Sequence, residues 1–140
     1  MKSLLNSAIL SLILFLGSCG PSPQEQNDQF RTQVIAVHDE VMPKMGQLKS
    51  LQKKALQKAE DLTAQDSTQT EQIQAYKTLA LELDQAFEGM MVWMRQYERE
   101  DGDATPEEVK AYLDEQMILV QKVNDDIKNA LIKADSLLKD

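Results

Sequence analysis

The chain is poor in the residue types on which most catalytic and metal sites depend. Its 140 residues include one cysteine and one histidine. A single cysteine excludes a disulfide framework and a cysteine-based zinc finger. A single histidine excludes sites that need two or three imidazoles, such as the zinc motif H-E-x-x-H or the paired Glu-x-x-His of di-iron helical bundles. The five glycines are too few for a glycine-rich phosphate loop.

Positive charge is also scarce. The sequence has 15 lysines and arginines against 23 acidic residues, a formal net charge of −8, and no block of basic residues. Proteins that bind nucleic-acid phosphates need clustered lysine and arginine. We therefore expect no nucleic-acid partner.

The most apolar stretch, from Leu4 to Leu16, lies close to the N-terminus. Lys2 precedes it and the small residues Gly17 and Ser18 follow it, an order that is typical of a secretory signal peptide. As a helix this stretch would be about 20 Å long, shorter than the roughly 30 Å hydrocarbon core of a bilayer. We therefore predict a signal peptide over residues 1–18 rather than a transmembrane helix.

The end of this segment, Leu16-Gly17-Ser18-Cys19, resembles the lipobox of bacterial lipoproteins. The resemblance implies that the Cys19 thiol receives diacylglycerol, that the chain is cut between Ser18 and Cys19, and that the new amino group is acylated, for example with palmitate. Two or more acyl chains anchor a protein stably to a membrane. The alternative is an ordinary signal peptide followed by a chance cysteine.

Residues 19–28 are polar and contain two prolines, so we predict a flexible tether between the lipid and the folded part. Gly20 stands where an aspartate would imply retention in the inner membrane in enteric-type sorting. The resemblance therefore favours an outer-membrane lipoprotein that faces the periplasm.

Beyond the tether, apolar residues recur every three or four positions, the spacing of amphipathic helices. Polar residues 63–70 and the segment Asp101–Ala104 interrupt the pattern, and Thr105-Pro-Glu-Glu108 matches a helix start with a capping box. We predict an all-α fold for residues 29–140: three long antiparallel helices, at about 29–62, 70–100 and 105–139, in a coiled-coil-like bundle. Pro43 should kink the first helix, either to steer it over the bundle or to shape a pocket.

The lone histidine is followed by methionines at helical spacing, since His38, Met42 and Met45 occupy positions i, i+4 and i+7. Folding the chain about residues 66 and 102 predicts that other methionines reach the same level of the bundle, namely Met90, Met94 and Met117. Three interpretations stay open: core filling, which we favour, an adaptable groove for a partner, and a soft-metal or haem site. The motif C-x-x-C-H of c-type haem is absent. We assign no cofactor, metal or catalytic residue.

The segment Ala36-Val-His-Asp-Glu-Val-Met-Pro-Lys-Met-Gly46 resembles small lipoproteins of Gram-negative envelopes that are labelled as similar to viral A-type inclusion protein repeats. That resemblance implies a lipoprotein of unassigned activity. We expect a lipid-anchored, non-enzymatic interaction module that binds a protein partner or itself. The alternatives are a periplasmic chaperone or stress protein and, less favoured, a bundle that binds metal or haem through His38 and the methionines.

Overall fold

A computed structural model describes residues 20–139, and these residues fold into helices that pack against one another, with no strand among them. The predicted all-α bundle is therefore confirmed. The elements are α1 (Pro23–Val41), a short 3₁₀ turn (Met42–Lys44), α2 (Met45–Gln65), α3 (Thr70–Gln96) and α4 (Pro106–Leu138). No helix in this part of the chain is both long and apolar enough to cross a membrane.

The predicted kink at Pro43 is present as the 3₁₀ turn between α1 and α2. Proline has no N–H to donate to the carbonyl four residues earlier, here that of Asp39, so the α-helical hydrogen bonding is interrupted. Instead the Met45 N–H donates to the Met42 carbonyl, one turn of the tighter helix. As a result α1 packs mainly along α4, whereas α2 packs along α3 and more lightly along α4.

The helices run up, down and up. Lys49 Nζ lies 2.8 Å from Asp84 Oδ1, and Lys133 Nζ lies 2.6 Å from Glu82 Oε1, so α3 is antiparallel to both α2 and α4. The kinked pair α1–α2 is parallel to α4, because hydrogen bonds join Asn27 to Pro106 at one end and Lys54 to Leu138 at the other.

A single apolar core runs between the helices. Its largest fully buried apolar side chains come mostly from the three longer helices: Leu48, Leu79, Leu83, Met90, Leu113, Ile127, Val34, Val41 and Val120. At about 25 cal/mol per Å² of apolar surface removed from water, these side chains supply the main driving force for the bundle.

Three helix ends differ from the prediction, the smallest difference being that α2 extends to Gln65, three residues beyond the expected end at 62. Helix α1 begins at Pro23, six residues before the expected start at 29, because Ser22 and Glu25 form a capping box. The Ser22 N–H donates to Glu25 Oε2 at 2.6 Å, and the Glu25 N–H donates to Ser22 Oγ at 3.2 Å. Residues 23–28 are therefore helical and not part of a flexible tether. Cys19 and the predicted signal peptide lie outside the described residues.

Helix α3 ends at Gln96 instead of near residue 100. The backbone of Tyr97 is extended, with φ −72° and ψ 120°, and the next residue donates its N–H to the hydroxyl of Tyr112 at 2.6 Å. This bond to α4 replaces the helical bond that Glu98 would otherwise make. The predicted capping box of α4 is present, with the Thr105 N–H 2.8 Å from Glu108 Oε2.

Candidate functional site

The six residues of the predicted histidine–methionine layer have different environments. Met45 and Met90 are buried in the core, while His38, Met42 and Met117 are half-buried. Met94 is exposed on α3, with 36% of its surface accessible. The core-filling interpretation therefore fits Met45 and Met90.

Contacts between helices fix which of these residues share a level. His38 on α1 contacts Trp93 on α3, and Lys49 on α2 pairs with Asp84 on α3. Met42 and Met45, which lie between His38 and Lys49, are therefore opposite the part of α3 that contains Met90. This agrees with a fold about residue 66.

The expected position of Met117 is wrong. On α4 the level next to α1's C-terminal half is occupied by Asn124, whose Nδ2 donates to the Val37 carbonyl at 2.8 Å. Met117 lies two helical turns, about 10 Å, before it. Met117 lies at a different level from the expected one because residues 97–105 do not form a tight turn. Tyr97, which follows α3, stacks on Tyr112, two turns inside α4, so α4 begins well beyond the end of α3.

An aromatic row, formed by His38, Trp93, Tyr97 and Tyr112, fills the space between α1, α3 and α4. Successive ring centroids are 5.4, 4.8 and 6.1 Å apart, with interplanar angles of 32–35°. These separations lie in the range of favourable aromatic pairs. The kink at Pro43 turns α1 onto α4, and α1 meets α3 chiefly through these large side chains.

This row was not predicted from the sequence, although two signals for it exist there. Trp93 and Tyr97 are four residues apart, so they lie on one side of the chain where α3 ends. The fold about residue 66 that pairs Met42 with Met90 also places His38 next to Trp93. His38 therefore contacts an aromatic ring, an environment that none of the three interpretations of the histidine–methionine layer included.

The histidine is held on two sides. Its Nδ1 atom lies 2.8 Å from Asp39 Oδ1, its ring stacks on Trp93, and 17% of its side chain is accessible. Within residues 20–139, no three histidine, cysteine or acidic side chains are grouped so that they could hold a metal ion.

Arg31 connects α1 to the segment between α3 and α4. Its guanidinium donates to the Tyr97 hydroxyl at 3.5 Å and to the Glu98 carbonyl at 3.2 Å, and it forms an ion pair with Asp101. Burial alone would lower the pKa of Arg31, but its partners Tyr97 and Asp101 outweigh that effect and raise it. Arg31 therefore stays charged. Its ion pair with Asp101, which joins α1 to the segment after α3, is called the Arg31 latch below.

At the end of the row, burial raises the pKa of the Tyr112 hydroxyl, although the hydrogen bond from the Glu98 N–H acts in the opposite direction. Tyr112 is therefore neutral over the physiological pH range. Its oxygen accepts the hydrogen bond that ends α3.

Three buried polar atoms in the described residues have no hydrogen-bond partner: Trp93 Nε1, Gln116 Oε1 and Asn124 Oδ1. All three residues are at least nine-tenths buried. Trp93 and Asn124 both contact α1, the first through His38 and the second through the Val37 carbonyl. A buried polar group without a hydrogen-bond partner lowers the stability of the folded state by about 1–3 kcal/mol. The part of the core next to α1 therefore includes hydrogen-bonding groups that a purely apolar core would not have.

The outer face of α4 carries two isoleucines that are largely exposed. Ile118 is 71% accessible and Ile132 is 68% accessible. The two are fourteen positions apart, which is nearly four helical turns, so they project from the same side about 21 Å apart. Two aspartates and two lysines lie between them in the sequence.

Comparisons of the chain with protein-family models, with curated proteins and with solved structures find no match. Function is therefore inferred from two features of the chain itself, the cysteine next to the N-terminal apolar run and the surfaces of the bundle.

Proposed function

We propose that the chain is a lipoprotein of the bacterial cell envelope, anchored through acyl chains on Cys19, which presents its helical bundle as a non-enzymatic interaction module. The observation that carries the proposal is the lipobox-like Leu16-Gly17-Ser18-Cys19 at the end of the apolar run. Cys19 is the only cysteine in the chain and occupies the position that is lipidated in lipoproteins. The proposed location is the outer membrane, facing the periplasm.

The start of α1 supports a short connection between the anchor and the bundle. Only residues 20–22 separate Cys19 from Pro23, the first residue of α1. Three extended residues span about 10 Å at most. A lipid on Cys19 would therefore keep the start of α1, and the neighbouring segment 97–105, close to the bilayer surface.

The charge of the mature chain supports attachment through lipid rather than through the protein surface. Removing residues 1–18 takes away one lysine and no acidic residue, so the formal charge changes from −8 to −9. Anionic headgroups attract basic segments and repel a body of this charge. Acyl chains supply the missing attraction.

The anchoring part is tested with a Cys19→Ser variant expressed in a Gram-negative host. The wild-type chain should incorporate labelled palmitate and fractionate with outer membranes. The variant should remain as the unprocessed precursor, about 2 kDa larger, without label, because the thiol that accepts the lipid is gone. Normal maturation and membrane attachment of Cys19→Ser would contradict the proposal.

The interaction part is tested by placing a photo-crosslinking phenylalanine analogue at Ile118 in native membranes. Gln57, an exposed polar position on α2, is the matched control. A partner that uses the outer face of α4 should give one adduct of fixed mass from position 118 and none from position 57. An adduct of twice the monomer mass would identify a second copy of the chain. Recovery of monomer alone from both positions would count against an interaction module.

A further inference from the structure

The hinge between α1 and α2 has few contacts that hold its angle. Within the 3₁₀ turn Met42 is half-buried, while Pro43 and Lys44 are exposed. Gly46 follows two residues later, and apart from its chain neighbours and its own helix backbone no heavy atom lies within 4 Å of the place where a side chain there would begin. The Asp39 carbonyl also lacks the N–H that a residue other than proline would donate. The turn itself therefore carries little packing, although Val41 just before it and Met45 just after it are buried in the core.

Helix α1 has fewer buried residues than α3 or α4, although Phe30, Ile35 and Val37 also pack in part against the apolar core. Its only buried residues are Asn27, Val34 and Val41. The larger buried side chains, such as Leu48, Leu83 and Leu113, belong to α2, α3 and α4. Lifting α1 would therefore separate chiefly one helix–helix interface, that with α4, whereas removing α3 would separate two, those with α2 and α4.

Polar contacts also join α1 to α4 and to the segment after α3. Asn27 Nδ2 donates to the Pro106 carbonyl at 2.8 Å, and Arg31 forms the latch with Asp101. Nearer the hinge, Lys128 Nζ lies 2.7 Å from Glu40 Oε1. Water can replace each of these bonds when the helix lifts, so their net contribution to closure is small compared with that of apolar burial.

The surface beneath α1 gains hydration when α1 leaves. The indole N–H of Trp93 and the side-chain amide oxygen of Asn124 are buried without a hydrogen-bond partner, and both residues contact α1. Water would satisfy both groups once they are exposed. Their hydration would offset part of the loss of the hydrogen bonds from Asn124 Nδ2 to α1.

We propose that α1 is a hinged cover, which opens about the 3₁₀ turn Met42–Lys44 while α2, α3 and α4 remain folded. Opening breaks the Arg31 latch, separates His38 from Trp93 and exposes the α1-facing side of α4 around Asn124. Opening thus uncovers the face of Trp93 that His38 contacts in the closed state. The inference stands on the packing of the bundle and does not depend on lipid attachment at Cys19.

Hydrogen exchange measured by mass spectrometry on the mature protein tests the cover. Amides of α1 between Phe30 and Val41 should exchange about tenfold or more faster than amides of α3 between Tyr76 and Trp93, because a local opening exposes only the first group. Trp93 is the only tryptophan in the chain, so acrylamide quenching of its fluorescence reports the same opening independently. Equal protection of α1 and α3, lost together in one denaturant transition, would overturn the proposal.

Two variants make the test specific. Arg31→Gln should speed exchange in α1 severalfold and increase Trp93 quenching, without changing exchange in α3. The control is Lys49→Gln, which removes the ion pair with Asp84 between α2 and α3 and should leave α1 exchange unchanged. Equal effects of the two variants on α1, or no effect of Arg31→Gln, would contradict the latch.

A stronger variant, Val34→Lys, keeps the proposal testable if the latch alone is too weak. A lysine at this fully buried position should hold α1 open, with its amides unprotected. The other three helices should keep their protection and most of the helical circular dichroism. Loss of protection throughout the molecule in Val34→Lys would show that α1 is an integral part of the core and would overturn the hinged cover.

Discussion

At the scale of single residues, two glycines serve different purposes in this chain. Gly102 has a φ of +55°, the left-handed conformation, in the turn closed by the hydrogen bond from the Ala104 N–H to the Asp101 carbonyl at 3.0 Å. A side chain at that φ is strained, so glycine is needed there. Gly46 lies in the first turn of α2 with open space around it, and nothing in its surroundings requires glycine.

Alanine substitutions should therefore change stability in opposite directions. Gly46→Ala should raise the free energy of unfolding by about 0.5–1 kcal/mol, because alanine loses less backbone entropy on entering a helix. Gly102→Ala should lower it by about 1 kcal/mol through backbone strain. Urea unfolding of both variants and the wild type measures the two shifts. A stabilising Gly102→Ala would show that the turn does not need the left-handed conformation.

Polar side chains in the core act at the same scale. Asn124 is fully buried, and it donates to the Val37 carbonyl and to Glu40 Oε2 at 3.0 Å. Asn27 makes an equivalent bond to the Pro106 carbonyl. An apolar side chain at these positions could pack in several registers of α1 along α4. The side-chain amide of each asparagine, in contrast, finds its hydrogen-bond acceptors in only one of these registers. These two residues therefore fix the parallel alignment of α1 with α4.

At the scale of elements, much of the architecture could be predicted because apolar periodicity is strong in every helix. Pro43 also indicated the break between α1 and α2, and Thr105 with Glu108 indicated the start of α4. The early start of α1 was missed although Ser22-Pro-Gln-Glu25 has the same form as Thr105-Pro-Glu-Glu108. The surrounding composition, polar with two prolines, outweighed this local signal.

The candidate site was less predictable than the helices. Periodicity tells which face of a helix is buried, but the level at which two helices meet depends on the path of the segment between them. The segment after α3 continues beyond the end of that helix before α4 begins. As a result Met117 on α4 is displaced from the level of Met90 by about two helical turns. Which methionine sulfurs fill the core and which face water, as Met94 does, depends on that same register.

At the scale of the whole molecule, several carboxylates of this acidic chain join one helix to another through lysines, or cap the start of a helix. Their pKa values are lowered from the ordinary range, chiefly by hydrogen bonds to lysines, hydroxyls and backbone N–H groups; the residues are Glu25, Glu40, Asp66, Asp84 and Glu108. A lowered pKa means that the folded state prefers the ionised form more than the unfolded state does.

Stability should therefore fall on acidification. The contribution of these carboxylates is present above their ordinary pKa values and is lost as the pH falls through the lower pKa values of the folded state. A Glu40→Gln, Asp84→Asn double variant removes the bonds to Lys128 and Lys49, which are the main causes of the lowered pKa at these two positions. It should be less stable than the wild type at pH 7, with the difference shrinking towards pH 3.

Urea unfolding across this pH range measures the effect, with Glu115→Gln, an exposed position on α4, as the control. The control should follow the wild-type profile. A stability gap that stays constant from pH 7 to pH 3 in the double variant would show that these links do not act through ionisation.

The odd number of passes along the bundle has a further consequence. Because the chain goes up, down and up, Pro23 lies at one end of α4 and Lys139 follows the other end, with the 33-residue helix between them. That helix is about 50 Å long. A fluorophore attached at Lys139 would therefore sit at the end of the bundle opposite Pro23, and its distance from a surface to which the Pro23 end was bound would measure the height of the bundle above that surface.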